Sequence, residues 1–180
     1  VYPEQILRGI VAIAKEFDLF LISDEIYTNI VYGEQKMIPL SHVLGDVPGI
    51  AMKGLYKEIP WPGARCGWIE VYNKDNDPVF ARYVKTLVDA KMLEVCSTTL
   101  PQAVLPKIFN DERYQPHLKK QSDEYRKKAD IVYNKLRNVS GIVAPKPDGA
   151  FYVSVVFDEG VLRSDQTLPI ENNHAQALIR

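Results

Sequence analysis

The feature that most constrains this 180-residue sequence is a helical repeat running into a short unbroken apolar segment that ends in two carboxylates. Ile6, Ile10, Ile13 and Phe17 recur at spacings of four, three and four behind Pro3, which a first helical turn tolerates. The spacing predicts an amphipathic helix. Asp18 breaks the period, and Leu19-Phe20-Leu21-Ile22 is continuous and apolar, as expected of a parallel strand covered on both faces. A helix feeding such a strand is half of a βαβ unit. The segment closes in Ser23-Asp24-Glu25-Ile26-Tyr27, and in open α/β sheets the carboxyl ends of the strands form the ligand side.

Further along, Gly33 to Pro48 reads as loop with one short helix around Ser41 to Leu44. Ile50-Ala51-Met52 and Cys66 to Tyr72 predict two more buried strands, giving three short strands of a parallel sheet. The loop between them is stiffened by Pro60, Pro62 and Gly63. Pro78 opens a helix with Val79, Phe80, Tyr83, Val84, Leu87 and Val88 on one side, and another helix follows from Gln102. Pro116 to Asn138 predicts a long helix whose lysines and arginines alternate with Asp123, Glu124 and Asp130, the pattern of a solvated face. A strand is expected over Gly149 to Phe157 and a helix start over Asn173 to Arg180. The shift from helical to strand character near residues 110 to 120 is the candidate domain boundary. Three strands leave sheet edges and helix faces without cover, so the covering elements are expected from sequence outside these residues.

Composition narrows the function classes. With 46% hydrophobic and 25% charged residues the chain is globular, and no apolar run reaches the roughly 20 residues of a bilayer helix, so no membrane partner is expected. A net charge of -1 gives no electrostatic footprint for nucleic acid. Cys66, Cys96 and three scattered histidines match neither a disulfide framework nor a zinc site, so no metal is expected and a reducing, cytoplasmic setting is.

Four residues carry the chemistry. A carboxylate at the carboxyl end of a buried strand needs a cation or strong donor, so Asp24 either pairs with Arg65, caps the next helix or meets a ligand. Tyr27 lies three residues on and by itself reads equally as packing. Lys57 stands at the mouth of the stiffened loop; in a partly desolvated site it supplies an amine able to condense with an aldehyde, and otherwise it is a surface lysine. Arg65, flanked by Gly63 and Gly67, allows close backbone approach to an anion that the guanidinium grips, which suggests phosphate.

Ser23-Asp24-Glu25-Ile26-Tyr27 followed by Lys-x-x-x-x-Pro-Gly-x-Arg-x-Gly-Trp from Lys57 to Trp68 resembles the class I/II pyridoxal-phosphate-dependent aminotransferases of fold type I. Pro147-Asp148-Gly149-Ala150-Phe151-Tyr152 resembles that family's small-domain strand, and Ser97 to Gln102 its loop before a helix. The resemblance implies an α/β fold: part of a large domain, a mostly parallel sheet with helices on both faces, over residues 1–115, and an interdomain helix with the beginning of an α+β small domain over 116–180. It implies pyridoxal 5'-phosphate as cofactor, with Asp24 on the pyridine nitrogen, Tyr27 on the ring's phenolic oxygen, Lys57 as the Schiff-base lysine and Arg65 on the phosphate. Amino acids and 2-oxo acids are the implied substrates, and a homodimer the implied assembly.

The sequence departs from the family at two positions. The hydroxyl residues often found immediately before the lysine and three before it are Tyr56 and Gly54 here, and Lys53 is read as a strand-end lysine. The asparagine assisting the ring oxygen, the glycine-rich phosphate turn and the ring-stacking aromatic would precede Val1, and the arginine for the substrate carboxylate would follow Arg180. The chain is therefore read as an internal portion of an enzyme. Two alternatives stand beside the aminotransferase: a fold type I lyase or decarboxylase using the same lysine and aspartate, and an incomplete, non-catalytic chain.

Overall fold

The computed structural model describes residues 1–34, 36–158 and 161. Helix α1 (Glu4–Glu16) leads into strand β1 (Leu21–Asp24), and a one-turn helix α2 (Leu40–Val43) precedes strand β2 (Gly49–Gly54). A 3-10 turn at Pro62–Ala64 precedes strand β3 (Gly67–Tyr72). Helices α3 (Pro78–Met92), α4 (Thr99–Phe109) and α5 (Tyr114–Leu136) follow, then the short strands β4 (Ile142–Val143) and β5 (Val156–Phe157). The helix expected over Asn173 to Arg180 lies outside the described residues.

β2 is the middle strand of a three-stranded sheet, parallel to β1 and antiparallel to β3. The parallel expectation for these three strands thus fails at β3. The segment between β2 and β3, residues 55–66, holds a 3-10 turn and no crossover helix, and a parallel return usually runs through a helix. Instead the segment doubles back, opposing Gly54 to Gly67 and Gly49 to Tyr72.

Core packing divides between the two sheet faces. On one, Ile50 packs with Phe80 and Val84 of α3, and Asp77 caps that helix by accepting from the amides of Val79 and Phe80 at 2.7 and 3.2 Å. On the other, Ala14 of α1 packs with Leu40, Leu44 and Val47, joined by Val11, Leu21 and Tyr72. Helix α1 therefore faces this core through Val11 and Ala14, while Ile6, Ile10, Ile13 and Phe17 are exposed, Phe17 at 63%. Periodicity located the helix, but not which side meets these neighbours.

The strand expected over Gly149 to Phe157 forms only at Val156–Phe157, paired with β4. Its first half docks by backbone onto the loop beyond β1. The amides of Tyr32 and Gly33 donate to the Asp148 carbonyl at 2.9 Å, and the Ala150 amide donates to the Ile30 carbonyl at 2.8 Å. Gly149 is required there, because a Cβ would lie 2.8 Å from the Ile30 carbonyl oxygen.

Candidate functional site

Strand direction brings the predicted residues together. β1 and β2 are parallel, so Asp24 at the end of β1 and Lys57 just beyond the end of β2 emerge at the same edge of the sheet. β3 is antiparallel and starts at that edge, which places Arg65, two residues before it, there too. Two strand exits and one strand entry thus converge on one rim.

Asp24 accepts from the Ile26 amide at 3.1 Å and, among the described residues, forms no ion pair. The salt bridge to Arg65 weighed from sequence is not made. Asp24, Ser23 and Tyr27 instead help line a cavity of about 530 Å³ that extends over Ile10, Ile22 and Ala150.

Lys57 lies in an aromatic box. Its Nζ is 5.0 Å from the centre of the Phe151 ring, 5.7 Å from that of Tyr27 and 5.8 Å from that of Tyr56. Ring faces hold an ammonium by their quadrupole and place no counter-charge on it, so the amine keeps access to a reaction partner. Half-buried, Lys57 is not the surface lysine that its local sequence allows.

Tyr27 shares a 2.8 Å hydrogen bond with the Tyr152 hydroxyl, and its ring meets Phe151 and Tyr152 edge-on. Burial, then the bond to Tyr152, then the nearby Asp24 and Tyr56 push its phenol well above the ordinary tyrosine range. The hydroxyl is thus kept protonated, able to donate.

Arg65 sits in the left-handed region at φ 47°, closing the Pro62–Ala64 turn, and its Nη1 donates to the Pro62 carbonyl at 3.1 Å. No carboxylate pairs with its exposed guanidinium among the described residues. Thr98, just before α4, braces the turn through the carbonyls of Ala64 and Arg65 at 3.1 and 3.4 Å. Gly67 lets the strands close behind it, since a Cβ there would stand 2.9 Å from the Lys53 carbonyl oxygen.

The family departures at residues 54 and 56 are one packing unit. A Cβ at Gly54 would stand 2.7 Å from Cε1 of Tyr56, so the ring needs the glycine beneath it. Lys53 belongs to another cluster: its Nζ is 3.1 Å from Glu70 and 3.6 Å from Glu25. Burial alone would lower the Lys53 pKa; Glu70 and Glu25 overcome this and raise it. The strand-end reading of Lys53 agrees with these contacts.

Sequence reasoning assigned no site role to Phe151 or Tyr152, nor any role to Glu58 or Asn29. For the first two the signal existed in the Pro147 to Tyr152 motif. Glu58 looks like any loop carboxylate until its partners are seen.

In sum of chemistry, the rim offers an amine, a protonated phenol, a carboxylate and an exposed guanidinium. The model of the family "Aminotransferase class I and II" matches residues 1–179. An uncharacterized aminotransferase of Methanocaldococcus jannaschii is 46% identical over 179 residues, 99% of this chain and 41% of that protein. A tyrosine aminotransferase of Dictyostelium discoideum is 31% identical over 115 residues, 64% of this chain and 28% of that protein. Among solved structures, the alanine aminotransferase from Pyrococcus furiosus superposes with a TM-score of 0.79 at 28% identity, covering 92% of this chain and 41% of that one. The chain spans about two fifths of the length of the M. jannaschii and P. furiosus proteins. A match along nearly its whole length, with an α/β fold shared with fold type I enzymes, establishes that the chain belongs to the class I and II aminotransferases.

Proposed function

We propose that the protein containing these residues is a pyridoxal-phosphate-dependent aminotransferase that moves an amino group between an amino acid and a 2-oxo acid. The observation that carries the reading is the Lys57 amine, held by three aromatic rings, at the sheet edge where Asp24 and Arg65 also emerge. The donor set fits the cofactor group by group. Asp24 makes no ion pair among the described residues and can accept from a pyridinium N–H; Tyr27 can donate to a phenolic oxygen; Lys57 can condense with an aldehyde; and Arg65 can grip phosphate oxygens.

When bound, pyridoxal phosphate supplies an electron-accepting ring that stabilises negative charge at the substrate Cα. The Asp24 carboxylate would hold the proton on the ring nitrogen, keeping the ring electron-poor. Lys57 would hold the aldehyde carbon, and its free amine would take the proton from the substrate Cα and give it back, as base and then acid. Tyr27, which Tyr152 braces, would donate to the ring's oxygen. Arg65 would grip the phosphate.

Residues 1–115 are assigned to the large, cofactor-binding domain and 116–180 to the interdomain helix and the beginning of the small domain. The family's habit supports a homodimer. A cytoplasmic location rests on the two cysteines, both free thiols, Cys66 buried and Cys96 exposed. Among the described residues no helix is long and apolar enough to cross a membrane.

Borohydride reduction of the full-length protein with pyridoxal phosphate, followed by peptide mass mapping, tests the reading. The label is expected on Lys57 and absent in Lys57→Ala. An amino acid should then yield its 2-oxo acid, one per site, until an acceptor 2-oxo acid is added. Release of carbon dioxide or an eliminated side chain instead would assign a decarboxylase or lyase. Asp24→Ala should fold yet lose most turnover; near-normal turnover would refute its role.

A further inference from the structure

Glu58, the residue after Lys57, is bound differently from an ordinary loop carboxylate. One of its oxygens accepts from the Asn29 backbone amide and the other from the Asn29 side-chain nitrogen, each at 2.8 Å. Asn29 lies two residues beyond Tyr27, so this two-point bond ties the Lys57 loop directly to the Tyr27 loop. Helix α5 supports both sides. Its His117 ring nitrogen is 3.2 Å from the Glu58 carbonyl, Gln121 donates to the Lys57 carbonyl at 3.3 Å, and Ser122 donates to the Asn29 carbonyl at 3.0 Å. Tyr114 adds a longer contact to the Glu58 carboxylate at 3.5 Å.

These bonds matter because lysine is a flexible stem with little geometry of its own. Where the amine sits is decided by the peptide it grows from, and residues 55–59 are in neither helix nor strand. Adjacent side chains leave this peptide toward different partners: Lys57 toward Tyr27, Tyr56 and Phe151, Glu58 toward Asn29 and Tyr114. Fixing Glu58 at two points therefore fixes the orientation from which Lys57 projects. An ionised acceptor on two N–H donors is the strong form of such a bond.

We propose that Glu58, clamped to Asn29, is a positioning residue that sets the place of the Lys57 amine relative to Tyr27. The inference rests on Lys57 being the lysine that binds the cofactor.

The test uses the full-length protein stripped of cofactor, then mixed with pyridoxal phosphate while the visible band of the covalent adduct forms with release of water. Glu58→Ala should slow band formation about tenfold, speed hydrogen exchange at the Asn29 amide by a similar factor, and weaken the circular dichroism of the bound cofactor. Glu58→Gln should stay within about threefold of the unaltered protein, because its amide oxygen accepts the Asn29 N–H and its NH₂ meets a turned-over Asn29 carboxamide. Should Glu58→Ala not fold, Asn29→Ala removes the side-chain half alone and should slow band formation about threefold. Unchanged band formation and circular dichroism in the alanine variants, with Lys57 still trapped by borohydride, overturns the inference while leaving the function intact. Failure to trap Lys57 in the unaltered protein refutes the function and the inference with it.

Discussion

The Tyr27 hydroxyl lies 2.8 Å from that of Tyr152, a residue 125 positions further along the chain. The pairing follows from backbone docking. The Ala150 amide bonds the Ile30 carbonyl and Gly149 pairs with Val31, so the two residues that follow arrive over the Tyr27 ring. Burial first, and this bond second, keep the Tyr27 phenol protonated.

Replacing Tyr152 with Phe should therefore bring the Tyr27 phenol back toward the ordinary tyrosine value of about 10. Burial remains as the larger cause, so the return is incomplete. The sign follows from linkage. A folded pKa above the unfolded one contributes stability that is complete below about pH 10 and is lost as pH rises through the folded value. In both proteins that loss begins near the unfolded value; in the variant it ends at a lower pH and is smaller, so the variant should be the less alkali-sensitive of the two. Ultraviolet difference titration of the Tyr152→Phe and Tyr27→Phe proteins, with unfolding followed above pH 9, measures both.

The Lys53 cluster predicts a larger effect. Glu25 has a side chain only 1% exposed; one oxygen accepts from the Leu40 amide at 2.6 Å, and the other has no hydrogen bond among the described residues, with the Lys53 ammonium 3.6 Å away. Lys53→Met leaves that charge unpaired in a buried site, and should cost about 3 kcal/mol by denaturant unfolding. Glu70→Gln should cost about 1 kcal/mol, since Lys53 keeps Glu25 as partner. Burial alone would raise the Glu70 pKa, but bonds from Tyr72 and Lys53 outweigh it and hold the carboxyl below its usual range. Its contribution is therefore present above about pH 4.3 and lost as pH falls through the folded value.

Gly54 and Tyr56 should behave as a coupled pair. Gly54→Ala alone drives a Cβ into the Tyr56 ring and should destabilise the protein by about 1–3 kcal/mol. In a Tyr56→Ser background the ring is gone and most of that penalty should vanish. A double-mutant cycle by thermal unfolding gives the coupling energy; an additive result would show that the ring yields freely.

Arg65 separates stability from binding. Its left-handed backbone favours glycine, so Arg65→Gly should change unfolding free energy by no more than about 1 kcal/mol in either direction. With the guanidinium gone, retention of pyridoxal phosphate on dialysis of the full-length protein should fall about tenfold or more.

Much of this was legible in the sequence. Pro3 with its four-three-four repeat marked α1, the apolar run before Ser23 marked β1, and Pro78 marked α3, because caps, breakers and periodicity act within a few residues. Asp24, Tyr27, Lys57 and Arg65 were nameable because the two motifs that hold them resemble, in order and spacing, those of a known family. Phe151 and Tyr152 were visible as a motif without a role, and Glu58 as nothing at all.

What the amino-acid order determined by itself was local: which segments coil, which extend, and which reactive groups stand at their ends. Only the tertiary structure decided that α1 meets its neighbours through Ala14 rather than its isoleucines, and that Glu58 grips Asn29. Each of these depends on groups distant in sequence competing for the same space and the same hydrogen bonds. Such competition is settled by the packing of the folded chain, which no local pattern encodes.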